Sequence, residues 1–525
     1  MNGLGYGYGV YAQDDWKLTS NLTLNLGLRY ELHPPLKDTK YNTAAFLPDY
    51  KQNGVAGAVA VPNEQALGYT SSMFAESIAP SPIITAKQAG IPETLRYTYK
   101  KDFGPRVGFA WRPKGNDKVV LRGGWGRFIE QPLGFSLVSG WAVHSSFLNY
   151  SYQSTDANGN PTIAFPAPFS STVVPGGASF QYAFPVKYTD PSVQQWNLTL
   201  EQDLGHDIGF RMSYIGSHGG NLETFVDLNQ VPANTIGWNA AFPLYAPYQS
   251  WGYIESVVNG AESNYNGLST AATKRFANGL QFQASYVWTR DLSNAAGYAP
   301  SSIQTEGNSN GVASDRFHLG RDYGNVAFDR RHRFLSTFLY ELPFGKGKTF
   351  AYNNGLLNTA AGGWQLGGVV VLQSGSFLTP YQTTTDPAGT NLLSNVGATR
   401  ADAVPNTPAY MHRTSTAAGD PVYLNSSAFA DPPNNSGGFG SAGVGNFVGP
   451  GTETVSLSLI KRTTLTEGTA FYFGAEASNL LNHRNYDVPD LNVDDGPGAF
   501  GVITALQTAE GAGPRNIELT ARITF

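Results

Sequence analysis

The sequence holds few residue combinations that could carry out chemistry. It has no cysteine, which excludes disulfides, thiolate metal sites and cysteine nucleophiles. Neither a G-x-S-x-G nucleophile motif nor an H-E-x-x-H zinc motif occurs, so we expect no enzyme and no bound cofactor or metal. The eight histidines are scattered along the sequence. We expect most of them to be solvated residues of loops or turns rather than metal ligands: His33, His144, His206, His218, His318, His332, His412 and His483.

An acidic segment near the end of the chain loosely resembles a calcium loop. Asp490, Asn492 and Asp494 alternate as calcium ligands do, but the glycine comes one position late, at Gly496. Gly501 stands where such a loop needs a glutamate. We interpret the segment as a solvated acidic loop and keep ion binding as the lesser alternative.

A basic run from Asp329 to Arg333 contains three arginines and one histidine. It is expected to mark the point where a strand begins. Arginine pairs well with phosphate, so the run could bind lipopolysaccharide, although a solvated rim is the preferred interpretation.

Glycines also cluster, at Gly123, Gly124 and Gly126. A phosphate-binding loop needs a helix after it, and none is predicted here. Small residues within a strand are expected instead to make room for a neighbouring part of the protein or to relieve strand strain.

The elements that must position these residues are predicted by alternation with period two. Leucine or tyrosine occupies every second position from Leu22 to Leu32, with polar or small residues between them. Such alternation puts one kind of side chain on each face of a strand. The repeated segments are about 10–13 residues long, whereas soluble strands have about 5–6 and tilted membrane strands about 9–11. Similar segments lie at 103–112, 195–204, 208–214, 280–289, 471–478 and 516–525.

The connections alternate between short and long. Short turns are predicted at Thr19–Ser20, Pro113–Asp117, Gly205–His206, Ala277–Gly279 and Thr464–Gly468, with 343–362 as an intermediate link. Long links are predicted at 34–101, 130–191, 220–263, 293–328, 376–452 and 483–513. Short turns on one rim and long loops on the other are typical of outer-membrane barrels. The predicted fold is all-β: an antiparallel transmembrane β-barrel, about 13 strands of a larger barrel, with long extracellular loops.

The two faces of the predicted strands carry different residues. Charged residues expected to line a hydrated lumen are Arg29, Glu31, Arg106, Arg112, Arg122, Glu201, Arg211, Glu476, Glu518 and Arg522. Aromatic residues expected near strand ends, at the lipid–water interface, are Trp16, Tyr30, Trp111, Trp125, Trp288 and Trp364.

Composition agrees with a protein that has one lipid-facing and one wet surface. Charged residues make up 14% of the chain, against roughly 25% in soluble domains. The net charge of −5 gives no electrostatic reason to expect nucleic acid as a partner. A soluble sandwich or a propeller remains the structural alternative, although no fixed-period repeat supports a propeller.

Several stretches, in their order along the chain, resemble the barrel of TonB-dependent outer-membrane receptors, and most of all the Oar-like group. They are Tyr11–Lys17, Leu22–Tyr30, Phe103–Trp111, Val193–Leu198, Asn264–Leu268, Asp329–Phe334, Ala477–His483 and the terminal Phe525. The resemblance implies TonB-energised uptake of a bulky nutrient across the outer membrane. It also implies a plug and a TonB-contacting segment, neither of which is recognisable in this sequence.

These implications define the expected organisation. Residues 1–525 are expected to be the C-terminal part of a receptor barrel of about 22 strands, with the plug domain and the N-terminal strands absent. The expected partners are outer-membrane lipid and lipopolysaccharide, TonB through a missing N-terminal region, the barrel-assembly machinery and an unknown nutrient. A passive porin or a surface adhesin is the alternative function.

The last strand carries a candidate assembly signal. Apolar residues alternate to the end of the chain, at Ile517, Leu519, Ala521, Ile523 and Phe525. This pattern resembles the C-terminal signal that is read by the barrel-assembly machinery.

Overall fold

One large antiparallel sheet dominates the computed structural model, which describes residues 3–115, 118–131, 180–295, 312–351, 354–393 and 397–525. Of its fifteen strands, thirteen form a continuous path in which each strand pairs with the next along the chain. The prediction of about thirteen long antiparallel strands is therefore confirmed. The thirteen are β1 (Tyr8–Thr19), β2 (Leu22–Leu32), β3 (Asp102–Trp111), β4 (Val119–Ile129), β5 (Ser192–Gly205), β6 (Ile208–Asp227), β7 (Ile254–Ala277), β8 (Leu280–Ser293), β9 (His332–Glu341), β10 (Trp364–Gln373), β11 (Thr452–Thr464), β12 (Ala470–Ser478) and β13 (Asn516–Thr524).

Strand register keeps the two kinds of side chain apart. Leu26 lies opposite Val107 on β3, and Gly27 lies opposite Arg106, so the apolar residues of β2 and β3 share one face. Leucines on this face, such as Leu28 and Leu198, stay exposed in the folded chain. A soluble sheet would bury them against a second layer, so their exposure indicates a face that lipid covers.

The short turns lie on one rim, here called the inner rim, and the long links leave from the opposite, outer rim. His206 and Asp207 both have positive φ, as do Asn278 and Gly279. This is the type I′ geometry whose twist matches that of flanking antiparallel strands. Residues 116–117 of the predicted Pro113–Asp117 turn lie outside the described part. The intermediate link between β9 and β10 contains a short helix, Gly355–Ala361.

The predicted link 220–263 is too long. β6 continues to Asp227, β7 already begins at Ile254, and Asp227 pairs with Glu255. The neighbouring strands stop earlier. Pairing with β5 ends at Gly220 of β6, and pairing with β8 ends at Ser263 of β7. We call the part beyond them, Leu222–Asp227 and Glu255–Ala261, the arm. It projects past the sheet and therefore lies outside the membrane.

The described parts of the long links contain helices and short strands of their own. We call the described residues of 33–101, 180–191, 228–253, 312–331, 374–451 and 479–515, together with the arm, the cap. Its helices are Glu64–Gly68, Ser72–Ser77, Ala86–Ala89 and Trp238–Tyr245, and its 3-10 turns are Leu319–Asp322, Ser426–Ala428, Val493–Asp495 and Ala509–Gly511. Its short strands are Lys37–Asp38 (paired with Gly3–Leu4), Ala45–Gln52, Val55–Val61, Ile83–Thr85, Phe180–Ala183, Gly324–Asn325, Phe377–Leu378, Tyr381–Gln382, Thr399–Arg400, Asp402–Ala403, Tyr410–Ser415, Pro421–Leu424, Phe429–Ala430 and Phe447–Val448.

Most of the buried apolar residues lie in this cap rather than in the sheet. The largest cluster includes Phe46, Phe74, Phe180 and Trp251, and another surrounds Leu424. The cap therefore has hydrophobic cores of its own.

The prediction that the aromatic residues lie toward strand ends is confirmed for most of them. Trp16, Tyr30 and Trp111 lie toward the ends of β1, β2 and β3, and Trp364 begins β10. Trp288 pairs with His332, the first residue of β9, and so lies at the outer rim. Trp125 is an exception because it lies near the middle of β4.

The first and the last strand of the path form the two edges of the sheet. Within the described residues, β1 pairs along the path only with β2, and β13 only with β12. None of the helices described is long and apolar enough to cross a membrane.

Candidate functional site

The polar face of the sheet is the first candidate site. Glu201 forms an ion pair with Arg122 at 3.3 Å and lies in register with Arg211 on the next strand. Arg29 and Glu31 pair at 2.7 Å within β2. These predicted lumenal charges are thus brought together on one wall, where alternating signs suit a water-filled passage.

Other predicted lumenal charges are arranged differently. Glu476 lies directly opposite Glu518 on β12 and β13, so two like charges meet there and need solvent or a cationic partner. Arg112 is not a lumenal residue. It follows β3 at the inner rim, where its guanidinium donates to the Ser20 carbonyl at 2.7 Å.

The inward glycines make room for a neighbouring arginine. A Cβ on Gly126 would come within 3.3 Å of both the Arg106 side chain and the Phe128 ring. Without that atom, the Arg106 guanidinium lies over the Phe128 ring at 4.7 Å. The expected role of the small residues is therefore refined: they accommodate side chains of the sheet itself.

A shallow depression lies beside this arginine on the same wall. It has a volume of about 140 Å³ and is lined by Tyr11, Gly27, Arg29 and Arg106, among others. Two guanidinium groups with one phenol form a surface that can receive an acidic or phosphorylated group by charge-assisted hydrogen bonds.

The basic run at the outer rim is occupied by internal contacts. β9 begins at His332, as predicted. Arg333 binds the Glu510 carboxylate through two nitrogens, at 2.7 and 3.0 Å. Arg331 donates to the Asn325 side chain at 2.7 Å. Because these arginines hold cap segments to the rim, the lipopolysaccharide interpretation has no support in this geometry.

The acidic segment fastens two cap loops together. The Asp494 carboxylate accepts hydrogen bonds from the hydroxyls of Thr383 and Thr384, both at 2.7 Å. Burial alone would raise the pKa of Asp494, but these hydrogen bonds lower it overall. A carboxylate held in this way serves as a structural acceptor between the two loops.

The cap is the second candidate site, and sequence patterns gave no sign of its core. Trp251 is fully buried, and its ring centroid lies 5.3 Å from that of Phe46 and 5.9 Å from that of Phe74. The buried Asn229 side chain donates to the Trp251 carbonyl at 2.7 Å and accepts from the Tyr248 amide at 3.0 Å. These contacts fix the segment that links the two halves of the arm.

Further contacts join the separate loops into one body. Arg400 pairs with Asp322 at 3.4 Å, and both side chains are largely buried. The Asn234 amide donates to the Ala388 carbonyl at 2.8 Å. Residues from three long links thus contact one another, and the cap can present a preorganised surface outside the membrane.

Two carboxyl groups make the arm sensitive to pH. Burial, together with the neighbouring Asp227 charge, raises the pKa of Glu255 to about 7. Burial raises the pKa of Asp227 to about 6, although amides of Asn229 and Ile254 donate to it. Unfolded carboxyls titrate near pH 4. Between about pH 4 and 7 the folded arm binds more protons than the unfolded arm, so its stability falls as pH rises through this window.

We therefore expect the arm to open more readily at pH 7.5 than at pH 5. Glu255→Gln should remove much of this difference and slow arm opening several-fold at pH 7.5. Hydrogen exchange of arm peptides, corrected for intrinsic rates, measures the effect. Glu93→Gln, at an exposed cap position, is the control. Equal pH dependence in the wild type and Glu255→Gln would contradict the assignment.

The histidine expectation needs correction at His33 and at His218, which lies within β6 with its Nδ1 2.9 Å from Asn264 Oδ1. His33 is not a solvated loop residue: its Nδ1 lies 2.9 Å from a buried Asp190 carboxylate oxygen. The partner is 157 positions away, so no local pattern could have indicated the pair. His144 lies outside the described residues.

Comparison with solved structures finds distant similarities. The ferripyoverdine receptor of Pseudomonas aeruginosa aligns with 99% of this chain at 10% identity, with a TM-score of 0.40. The FrpB iron transporter from Neisseria meningitidis aligns with 99% at 9% identity and a TM-score of 0.40. The outer membrane transporter YddB from Escherichia coli aligns with 99% at 9% identity and a TM-score of 0.38. The chain spans 38%, 44% and 54% of these structures, respectively.

Sequence comparison gives the family. A search of curated proteins found no significant match. The family model described as "Outer membrane beta barrel domain" matches residues 2–518, almost the whole chain. The match agrees with the antiparallel path of thirteen strands, its exposed apolar face and its polar opposite face. The chain therefore belongs to the outer membrane β-barrel domain family and is a protein of the bacterial outer membrane.

Proposed function

We propose that this chain supplies barrel wall and outer cap to a TonB-dependent receptor that takes up a bulky nutrient. The observation that carries the proposal is that the sheet and the cap have different surfaces suited to different roles. A thirteen-strand wall presents a charged face, and the described long links on one rim fold into a single cap. A preorganised cap provides a recognition surface ahead of a polar passage. The resemblance of the strand motifs to the Oar-like group supports TonB as the source of energy for uptake.

The open sheet edges support a larger assembly. Among the described strands, β1 and β13 each have one free edge, and every unpaired backbone group on such an edge would cost several kcal/mol in lipid. We therefore propose that residues 1–525 form the C-terminal part of a wider barrel, closed by further strands. A plug and a TonB-contacting segment belong to the same proposal.

Two measurements on the complete gene product, purified in detergent, test the function. The first is binding of the purified periplasmic domain of the host's TonB. The second is potassium conductance in planar bilayers. A receptor should bind this domain saturably and show no steady conductance. Steady conductance without TonB binding would indicate a passive porin, and absence of both would indicate an adhesin. Either result would overturn the proposal.

The alternating residues of β13 are proposed to be the assembly signal. Ile517, Leu519, Ala521, Ile523 and Phe525 are all exposed, and among the described strands β13 pairs only with β12. An exposed apolar stripe on a strand with a free edge is suited to capture by the barrel-assembly machinery through strand addition.

Deleting Phe525 is expected to lower outer-membrane insertion several-fold at native expression levels. Phe525→Tyr keeps an aromatic ring and should insert normally. Quantitative immunoblotting of membrane fractions measures both variants. Insertion of the deletion variant at the wild-type level would argue against the signal.

A further inference from the structure

Three strand approaches meet in a small polar cluster at the outer rim. His33 directly follows β2, Asp102 begins β3, and Asp190 lies just before β5. One potential ligand atom from each residue lies within 4.8 Å of the other two. The long link 33–101 therefore leaves and returns at this point, and the chain enters β5 beside it.

The cluster is buried and lacks donors for one of its carboxylates. Asp102 has no exposed surface, and Asp190 is 3% exposed. Both carboxylate oxygens of Asp102 are buried without a hydrogen-bond partner. A buried carboxylate without a partner costs several kcal/mol. Because Asp190 lies beside it, the pair needs either a bound cation or a shared proton.

The nearby arginines bind elsewhere. Arg127 donates to the Phe103 carbonyl at 3.4 Å. Arg96 lies over the rings of Phe184 and Tyr188, at 5.0 and 5.3 Å. Both arginines act on the cluster through their charge, which reduces its net negative potential. Neither one gives the Asp102 oxygens a hydrogen bond.

The donor set indicates the class of ion. Calcium and magnesium prefer oxygen ligands, whereas one imidazole with two carboxylates suits zinc and related transition-metal ions. Three protein ligands leave one position for water. We propose that His33, Asp102 and Asp190 bind a zinc-class divalent cation at the outer rim. The ion would link the chain segments that enter β3 and β5. This structural role is independent of the proposed transport.

Metal binding can be measured on the complete protein in detergent. After treatment with EDTA and dialysis, Co²⁺ is the spectroscopic probe and Zn²⁺ titration calorimetry gives the affinity. We expect one Co²⁺ per chain, with visible absorption of a four- or five-coordinate ion that Zn²⁺ displaces. Asp102→Asn keeps the side-chain volume, removes the charge and should weaken binding at least tenfold. His33→Ala should do the same.

The matched control is His483→Ala. His483 also pairs with a carboxylate, Glu453 at 3.8 Å, but both side chains are exposed. Its removal should leave affinity unchanged, and heat-modifiable migration confirms that each variant is folded. Two results would overturn the proposal: no Co²⁺ absorption in the wild type, or equal affinity in the wild type and Asp102→Asn. In either case the two carboxylates would instead share a proton.

Discussion

Replacing Trp251 with alanine is expected to destabilise the cap by about 3–5 kcal/mol, the usual cost of removing a fully buried large aromatic side chain. The ring packs against Phe46, Phe74 and Phe180, so the resulting cavity has walls from separate links of the chain. The indole Nε1 also donates to Ser81 Oγ at 3.1 Å. Its loss would leave that buried hydroxyl without this donor.

Hydrogen exchange on the complete protein measures this effect. Peptides from the cap, especially 44–61 and 228–254, should exchange faster by two orders of magnitude or more. Peptides from β8 to β10 should be unchanged, because those strands have their own hydrogen-bonded neighbours.

A control in the same link separates burial from any general effect of substitution. Leu244 lies in the helix Trp238–Tyr245 and is 65% exposed. Leu244→Ala should change cap stability by no more than about 0.5 kcal/mol. If the two variants exchanged alike, the cap would not depend on a core at Trp251.

The wall could be predicted from sequence because each face of its strands meets one environment. In β2, lipid selects leucine on one side, while water in the lumen tolerates Asn25, Arg29 or glycine on the other. A single strand therefore carries the full signal. The two-residue turns are also local, since Asn278–Gly279 needs only its own backbone preferences.

The arm shows where this reasoning stops. Val226 and Val257 are buried, but so are the polar residues Thr224 and Ser256 on the same two segments. When both faces of a strand contact protein, the alternation that marks a membrane strand disappears. The arm therefore resembled a loop in the sequence.

The cap and the rim sites depend on contacts between distant residues. Arg333 meets Glu510 across 177 positions, and the Asn229 side chain organises carbonyls about twenty residues away. Such pairs follow from how the links pack on one another. One sequence contains no periodicity that records this packing.

Arginine placed at Leu198 is expected to cost about 2–4 kcal/mol, the penalty for arginine facing lipid near the bilayer midplane. Leu198 lies near the middle of β5, is 48% exposed and has Gly123 and Tyr214 as its cross-strand neighbours. None of them offers a charge to pair with. Leu26 is a poorer test because Asp14 lies opposite it on the same face and would partner the new arginine.

The adjacent Asn197 supplies the control, since successive side chains of a strand point to opposite faces. Asn197 pairs with Gly124 on the polar wall, where an added guanidinium has both space and water. Urea titration of the complete protein folded into phosphatidylcholine vesicles gives the free energy of unfolding for each variant. Leu198→Arg should lose several times more stability than Asn197→Arg. Equal losses would mean that the two faces are not divided between lipid and lumen. Only that division makes arginine at Leu198 much more destabilising than arginine at the adjacent Asn197.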